Sequence, residues 1–101
     1  MTDKPRSDFD AYYFSGHAVQ RMFQKKIRKS DVLAVITNGK IIASYPDDNP
    51  FPSYLKLGFI DDRPLHVVFA VDQSSRICHI ITVYPPDAML WSEDFKTRRK
   101  R

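Results

Sequence analysis

Apolar residues recur at helical spacing in the first third of the chain. They stand three or four positions apart at Phe14, Ala18, Val19, Met22 and Phe23. This spacing places them on one face of a helix. Ser15 precedes the stripe and is a favoured N-cap residue. The pattern therefore predicts a first helix over about residues 15–26.

A second apolar stripe follows after a short polar stretch and consists of Val32, Leu33, Val35 and Ile36. Ser30 followed by Asp31 is typical of a helix N-terminus, where a capping oxygen and a carboxylate are both favourable. Asn38 and Gly39 are expected to end this second helix, because both tolerate the left-handed conformation.

From position 40 the pattern changes to apolar and β-branched runs of strand length. These runs predict strands over residues 40–45, 54–59, 65–71 and 77–84. The short polar connections between the last three imply antiparallel hairpins. The sequence therefore predicts an α+β fold in which two N-terminal helices pack on a four-stranded antiparallel meander sheet.

The chain has 101 residues, which is enough for one domain. Residues 1–13 are interpreted as a flexible lead, residues 14–95 as a single α+β domain and residues 96–101 as a basic tail. Within the domain, residues 87–95 are predicted to form a turn and a short helix, with Trp91 packed back on the sheet.

Composition limits the class of protein. Hydrophobic residues make up 43% and charged residues 28% of the chain, which is typical of a globular domain. The apolar runs are too short to span a membrane, and the polar start does not resemble a signal peptide. A single cysteine, Cys78, excludes an internal disulfide and fits a reducing compartment, so we expect the cytoplasm.

The net charge of +4 is unevenly distributed, because the last six residues hold five of the sixteen basic side chains. A second cationic strip lies in the first third of the chain. Such strips can hold phosphates through counterion release, although a solvated helix end and a frayed tail would look the same. The residues expected to contact RNA are Lys25, Lys26, Arg28, Lys29, Lys56, Arg98 and Arg99.

Three histidines are candidates for chemistry. His17 and Arg21 are four residues apart, so both lie on one side of the first helix. His66 is in the third predicted strand. His79 is expected to have a core or edge role. The alternative for each imidazole is a structural histidine that only satisfies its own hydrogen bonds.

The hairpin that follows His66 determines which residue lies across from it. A three-residue loop would place Thr82 opposite His66, with Tyr84 one pair away. A one-residue change in that loop would place Ile81 there instead.

No metal or nucleotide motif is present, so no metal and no cofactor are expected. The pairs Asp47–Asp48 and Asp61–Asp62 are interpreted as solvated turns. The remaining histidine, arginine, lysine and tyrosine residues suit metal-free RNA cleavage. In that reaction the 2′-hydroxyl attacks its own phosphate and needs a base, an acid and a cation.

Four segments carry a resemblance to a known family. They are Phe14-Ser-Gly-His-Ala-Val-Gln-Arg-Met-Phe, Tyr45-Pro-Asp-Asp-Asn-Pro-Phe-Pro-Ser, Arg63-Pro-Leu-His-Val-Val and Ile81-Thr-Val-Tyr-Pro-Pro-Asp. Together they resemble family 4258 of bacterial domains of unknown function, over roughly residues 12–99. Members look like small toxins of the RelE and barnase type of ribonuclease fold, paired with a zinc-finger antitoxin.

The resemblance implies a set of site residues, namely His17, Arg21, His66, Tyr84 and Asp87. The family usually has Arg-Gly after the first helix. This chain has Lys25 and Lys26 there instead, which implies a strained turn.

The preferred hypothesis is a toxin that cleaves RNA without a metal. His66 and His17 would share acid and base work, Arg21 would stabilise the phosphorane, and Tyr84 would position the substrate or donate a proton. RNA and an antitoxin protein would be the partners. The alternative is a non-enzymatic module that binds a partner protein or nucleic acid through the basic strips. A different enzyme, acting on a small phosphorylated ligand, is the third possibility.

Overall fold

The computed structural model describes residues 8–99. Along the chain, the strands and helices follow in the order β1 (Ala11–Phe14), α1 (Gly16–Lys25), α2 (Lys29–Asn38), β2 (Lys40–Tyr45), β3 (Ser53–Ile60), β4 (Arg63–Asp72) and β5 (Ile77–Tyr84). Both predicted helices and all four predicted strands are present, and the overall class is α+β. The strand β1 was not predicted.

The five strands form one mixed sheet with the order β1-β5-β4-β3-β2. Strand β1 runs parallel to β5, and all other neighbours are antiparallel. The prediction of a four-stranded antiparallel meander of the RelE and barnase type is therefore wrong. The parallel pair can form because two helices and three strands separate β1 from β5, which gives the chain the length to return to the same end of the sheet.

The first three residues of strand β1, at positions 11–13, belong to the segment that the sequence predicts as a flexible lead. Tyr12 and Phe14 lie beside Cys78 and Ile80 of β5, and both aromatic rings pack against the core. Residues 1–7 of the lead and residues 100–101 of the basic tail lie outside the described residues.

Helix α1 begins where the sequence predicts. The Ser15 hydroxyl oxygen accepts a hydrogen bond from the Ala18 backbone N–H at 3.0 Å, and its O–H donates to the Ile81 carbonyl at 2.7 Å. One side chain therefore caps the helix and ties it to β5. The helix ends at Lys26, which has a left-handed backbone with φ 56°, so the strained turn that the missing glycine implies is present.

Helix α2 begins two residues earlier than predicted, because its cap is not Ser30. Its N-cap is Arg28, whose backbone N–H donates to the Asp31 carboxylate at 3.0 Å. Gly39 follows the helix, as predicted, but with an extended backbone at φ −74°. Glycine is needed there for space, because a Cβ atom would lie 2.4 Å from the carbonyl oxygen of Val35.

The core lies between the two helices and one face of the sheet, which we call the helix face. The side chains at its centre are buried and apolar: Ala18, Val32, Val35 and Ile36 from the helices, and Val67, Phe69, Ile80 and Val83 from the strands. Because successive side chains of a strand alternate between faces, the residues between these core positions lie on the opposite face of the sheet, which we call the outer face.

The chain after β5 folds over part of the outer face. Asp87 begins a turn in which its carbonyl accepts from the N–H groups of Leu90 and Trp91. Trp91 then pairs with Arg98 in an isolated bridge. We call residues 87–99 the C-terminal hairpin. The predicted packing of Trp91 is confirmed by its 7% exposure, but a turn replaces the predicted short helix. Among the described residues, no helix is long and apolar enough to cross a membrane.

Candidate functional site

Three rings from separate parts of the chain meet on the outer face. Phe51, from the loop before β3, stacks on His79 with ring centroids 5.4 Å apart and planes 11° from parallel. Tyr13 of β1 meets the same imidazole edge to face at 5.7 Å. Tyr13 is 55% exposed and His79 is half-buried, so this cluster presents aromatic surface to solvent.

A bulge in β5 explains why His79 lies on this face. His66 pairs with Tyr84 and Val68 pairs with Thr82, but the next residue of β4 pairs with Ile80. Ile81 is therefore the extra residue of a β-bulge. Beyond the bulge the alternation is reversed. His79 and Tyr84 consequently share the outer face although they are five positions apart, an odd spacing that would place them on opposite faces of a regular strand. This corrects the predicted core or edge role of His79.

The observed register also corrects the predicted partner of His66. Tyr84 lies directly opposite His66, where the sequence predicted Thr82. The Tyr84 hydroxyl is 3.2 Å from His66 Nδ1. The other ring nitrogen, Nε2, is 2.7 Å from the carbonyl oxygen of Phe95 in the C-terminal hairpin. Since a carbonyl only accepts, Nε2 carries the proton and Nδ1 accepts from Tyr84.

His66 is fully buried, with 0% exposure. Trp91 packs edge to face on its ring at 4.5 Å. Burial lowers the pKa of His66, while the hydrogen bond to Phe95 raises it by a smaller amount. The imidazole is consequently neutral near pH 7.

Tyr84 lies at the border between the buried histidine and the solvent. Burial is the main cause that raises its pKa. Tyr45 raises it further, and the positive charge of Arg98 lowers it. These two electrostatic effects indicate that Tyr45 and Arg98 lie near the Tyr84 hydroxyl. The guanidinium of Arg98 also stands over the Trp91 ring, 5.6 Å from its centroid. Tyr45, which shares the outer face through its pairing with Ser53, is 48% exposed.

The predicted catalytic residues do not form one cluster. His66 and Tyr84 are in contact, but His17 and Arg21 belong to α1, which packs on the helix face. The sheet separates the two pairs. His17 is exposed and Arg21 is half-buried, so the structure does not bring His17 and His66 over a shared hollow. Asp87, the fifth residue implied by the resemblance, caps the turn through its bond from the Met89 N–H at 2.8 Å.

The predicted RNA contacts are distributed over both sides of the sheet. The strip of Lys25, Lys26, Arg28 and Lys29 is exposed around the turn between the helices. Arg98 and Arg99 belong to the C-terminal hairpin on the outer side. Lys56 is only 5% exposed, and its ammonium donates to the carbonyl of Ile36 under the helix layer. Burial lowers the pKa of Lys56.

Cys78 and the side chains that could bind a metal ion were the remaining candidates for chemistry. Cys78 is buried in the core, and desolvation raises its pKa to about 12, so it remains a thiol at neutral pH. Within residues 8–99, no group of three or more histidine, cysteine or acidic side chains is arranged to hold a metal ion.

The meeting of Tyr13, Phe51 and His79 was not predicted from the sequence. The aromatic composition of residues 12–14 and the proline-rich loop around Phe51 were visible signals. Their meeting depends on the parallel pairing of β1 with β5 and on the bulge at Ile81, and neither has a local sequence signature.

One comparison with known proteins gives a match. A family model described as a domain of unknown function, DUF4258, matches residues 14–85. No curated protein and no solved structure matches the chain. The matched span includes both helices, β2 to β5, His66 and Tyr84, but not the C-terminal hairpin.

Proposed function

This chain belongs to the DUF4258 family of domains of unknown function, and from the geometry of its outer face we propose that it binds single-stranded RNA. The observation that carries the proposal is the group of rings on that face, of which Tyr13 and Tyr45 are exposed. Tyr13, Phe51 and His79 form one stacking cluster, and Tyr45 offers a second ring.

Exposed rings on a sheet are a common platform for unpaired bases. Sequence-specific RNA recognition targets single strands, whose bases stack on tyrosine, phenylalanine and histidine side chains. Each such stacking contact contributes about 1–3 kcal/mol. An RNA duplex hides its bases in the helical stack, so the proposal predicts a preference for single strands.

The outer face also has a cation for the phosphate backbone. Arg98 lies over Trp91 and electrostatically close to Tyr84. Guanidinium groups bind phosphate oxygens through two parallel hydrogen bonds. Arg98 would therefore hold a phosphate beside Tyr84 and Tyr45.

The test is a titration of fluorescein-labelled, twelve-nucleotide single-stranded RNA with the full chain, followed by anisotropy. We expect Tyr45→Ala and Tyr13→Ala each to weaken binding about five-fold or more, the loss of one stacking contact. Arg98→Ala should reduce the slope of log affinity against log salt by about one unit.

Phe23→Ala is the matched control, because Phe23 is an exposed aromatic residue on α1, away from the outer face. It should leave RNA affinity unchanged. Equal weakening by the tyrosine variants and Phe23→Ala, or equal affinity for a duplex of the same length, would contradict the proposal.

RNA cleavage is a second candidate, and the contact between Tyr84 and His66 favours it. Nδ1 of neutral His66 accepts a hydrogen bond from the Tyr84 hydroxyl, so the Tyr84 oxygen could take the proton of a ribose 2′-hydroxyl while its own proton moves to His66. The 2′-oxygen would attack phosphorus, the bond to the 5′-oxygen would break, and that oxygen would take a proton from water. The hydroxide that remains would take the extra proton back from His66 and Tyr84. Arg98 would balance the negative charge on the phosphorane. The products are a 2′,3′-cyclic phosphate and a free 5′-hydroxyl end.

Cleavage is tested in the presence of a chelator with the same labelled RNA. Tyr84→Phe removes the hydroxyl and should slow cleavage by about 100-fold or more, the effect of losing a general acid or base. His17→Ala and Arg21→Ala should leave the rate unchanged. Growth arrest on expression in a bacterial host, relieved by Tyr84→Phe, would support a toxin that an antitoxin protein neutralises. Cleavage that Tyr84→Phe leaves intact would contradict this candidate.

A further inference from the structure

An apolar patch on helix α1 has no role in RNA binding by the outer face. Phe23 is 87% exposed and Val19, one helical turn before it, is 53% exposed. Two neighbouring side chains of this size on one helix flank form a contiguous apolar surface. We call this surface, with the residues around it, the α1 patch: Val19, Met22, Phe23, Lys26, Ile27 and Arg28.

The α1 patch is a shallow depression of about 690 Å³. Met22 and Ile27 form its base, because both are partly buried against the core. The turn at the end of α1 is fixed by hydrogen bonds from the backbone N–H groups of Lys26 and Ile27 to the carbonyls of Phe23 and Met22. A partner would therefore meet a preformed apolar surface, with little ordering required on binding.

The charges around the α1 patch are positive. Lys26 and Arg28 line the depression, and no acidic side chain among the described residues lines it. The guanidinium of Arg28 is paired with the Asp31 carboxylate at 3.3 Å, so the lysines supply the excess positive charge. Lys25 and Lys29 are exposed beside it. A complementary partner surface would be apolar at its centre and acidic at its rim.

A second copy of the chain does not fit this requirement. In a two-fold dimer the same patch lies on both subunits, so the cations of one copy would face the cations of the other. Like charges brought together in an interface are unfavourable. The exposed phenyl ring also distinguishes the patch from a purely electrostatic phosphate site.

We propose that the α1 patch docks an acidic amphipathic helix of another protein. The Val19 and Phe23 pair has the one-turn spacing that a partner helix can match with its own apolar ridge. Glutamate or aspartate residues along the flanks of that helix would contact Lys26 and the exposed lysines beside it. The partner binds on the exposed side of α1, which lies across the sheet from the outer face. An RNA bound on the outer face therefore does not compete with it.

The experiment uses the full chain and two labelled peptides of eighteen residues. One is an amphipathic helix with a leucine stripe and glutamate flanks, and the other has lysine in place of every glutamate. Anisotropy should show that the glutamate peptide binds at least ten-fold more tightly than the lysine peptide. Phe23→Ala should weaken binding of the glutamate peptide ten-fold or more, and Lys26→Ser should weaken it mainly at low salt.

Tyr13→Ala is the matched control, because it removes an exposed aromatic ring from the outer face and should not change peptide affinity. Circular dichroism of Phe23→Ala should match the parent, since the ring is almost fully exposed. The proposal fails if the two peptides bind equally, or if Phe23→Ala has no effect on binding. It also fails if Phe23→Ala instead abolishes self-association in sedimentation, or weakens RNA binding as strongly as the tyrosine variants do.

Discussion

His66 shows how a histidine that looks catalytic in the sequence can hold the fold together. Both of its nitrogens are hydrogen-bonded, its ring is fully buried, and one of its partners is the carbonyl of Phe95. It therefore fastens the C-terminal hairpin to β4. Its removal leaves a cavity beneath Trp91 and a carbonyl without a donor, and both effects are destabilising.

We predict that His66→Ala lowers the free energy of unfolding by about 3 kcal/mol. His17→Ala should change it by less than about 0.5 kcal/mol, because His17 is exposed on α1. Urea denaturation followed by tryptophan fluorescence measures both, and Trp91 reports directly on the contact with His66. Similar losses for the two variants would mean that His66 does not hold the hairpin.

The same residue predicts a dependence of stability on pH. Burial lowers the pKa of His66 in the folded chain below its ordinary value of about 6.5. Below pH 6.5 the unfolded chain therefore binds the proton more readily than the folded chain does. The contribution of neutral His66 to the free energy of unfolding is therefore complete above pH 6.5. It decreases as the pH falls toward the lowered pKa of the folded state.

His66→Gln is the control for this second prediction, because glutamine does not titrate. Urea midpoints measured between pH 7.5 and 5 should fall further for the parent than for the glutamine variant. Tyr84, which faces His66, does not contribute in this range, since its pKa is raised from an already alkaline value. Parallel curves for the two proteins would contradict the assignment to His66.

The sequence could identify these site residues but not their neighbours. His66 and Tyr84 were both selected, and they are in contact. Strict alternation along β5 predicts a core or edge role for His79, but the bulge at Ile81 reverses the alternation and places His79 on the outer face. His17 was grouped with His66 because linear spacing does not say on which side of a sheet a helix packs.

The turn between the helices contains a non-glycine residue in a strained backbone conformation. Lys26 ends α1 in the left-handed region at φ 56°. That conformation costs a residue with a Cβ atom about 1–2 kcal/mol. A glycine there avoids the cost but loses about 0.5–1 kcal/mol of chain entropy on folding.

We therefore predict that Lys26→Gly raises the free energy of unfolding by about 0.5–1 kcal/mol. Lys25→Gly is the matched control with the opposite sign. It removes a side chain of equal charge from the last helical position, where glycine costs up to about 1 kcal/mol. Thermal melts of the three proteins should rank Lys26→Gly above the parent and Lys25→Gly below it. The reverse order would show that the left-handed residue carries no strain.

Local sequence patterns predicted most of the helices and strands, but they did not predict the pairing of β1 with β5. The apolar stripes and Ser15 located both helices, and the β-branched runs located β2 to β5. Strand β1 has only four residues and pairs with Ile77–Ile80, more than sixty positions away. Its stability comes from that pairing and from packing on the core. The aromatic residues at 12–14 are common in strands, but they do not indicate the strand with which they pair.

Over the whole molecule, the sheet separates two surfaces of different chemistry. The outer face presents aromatic rings with Arg98. On the other side of the sheet, the exposed surface of α1 carries the α1 patch with its lysines and Arg28. The core between them is apolar and closely packed, and Gly58 illustrates this: a Cβ atom there would lie 2.7 Å from a methyl group of Val35. Neither surface shares a residue with the other.

This separation predicts that the two binding events are independent. Sites that share no residues and lie on opposite sides of a rigid sheet have a coupling free energy near zero unless a conformational change links them. The affinity for the glutamate peptide should therefore be the same within two-fold with and without saturating single-stranded RNA. In a double-mutant cycle, Tyr45→Ala should lower only RNA affinity and Phe23→Ala only peptide affinity. Peptide displacement by RNA would instead mean that RNA contacts the lysines beside Phe23, and the cationic strip of α1 would then belong to the RNA interface.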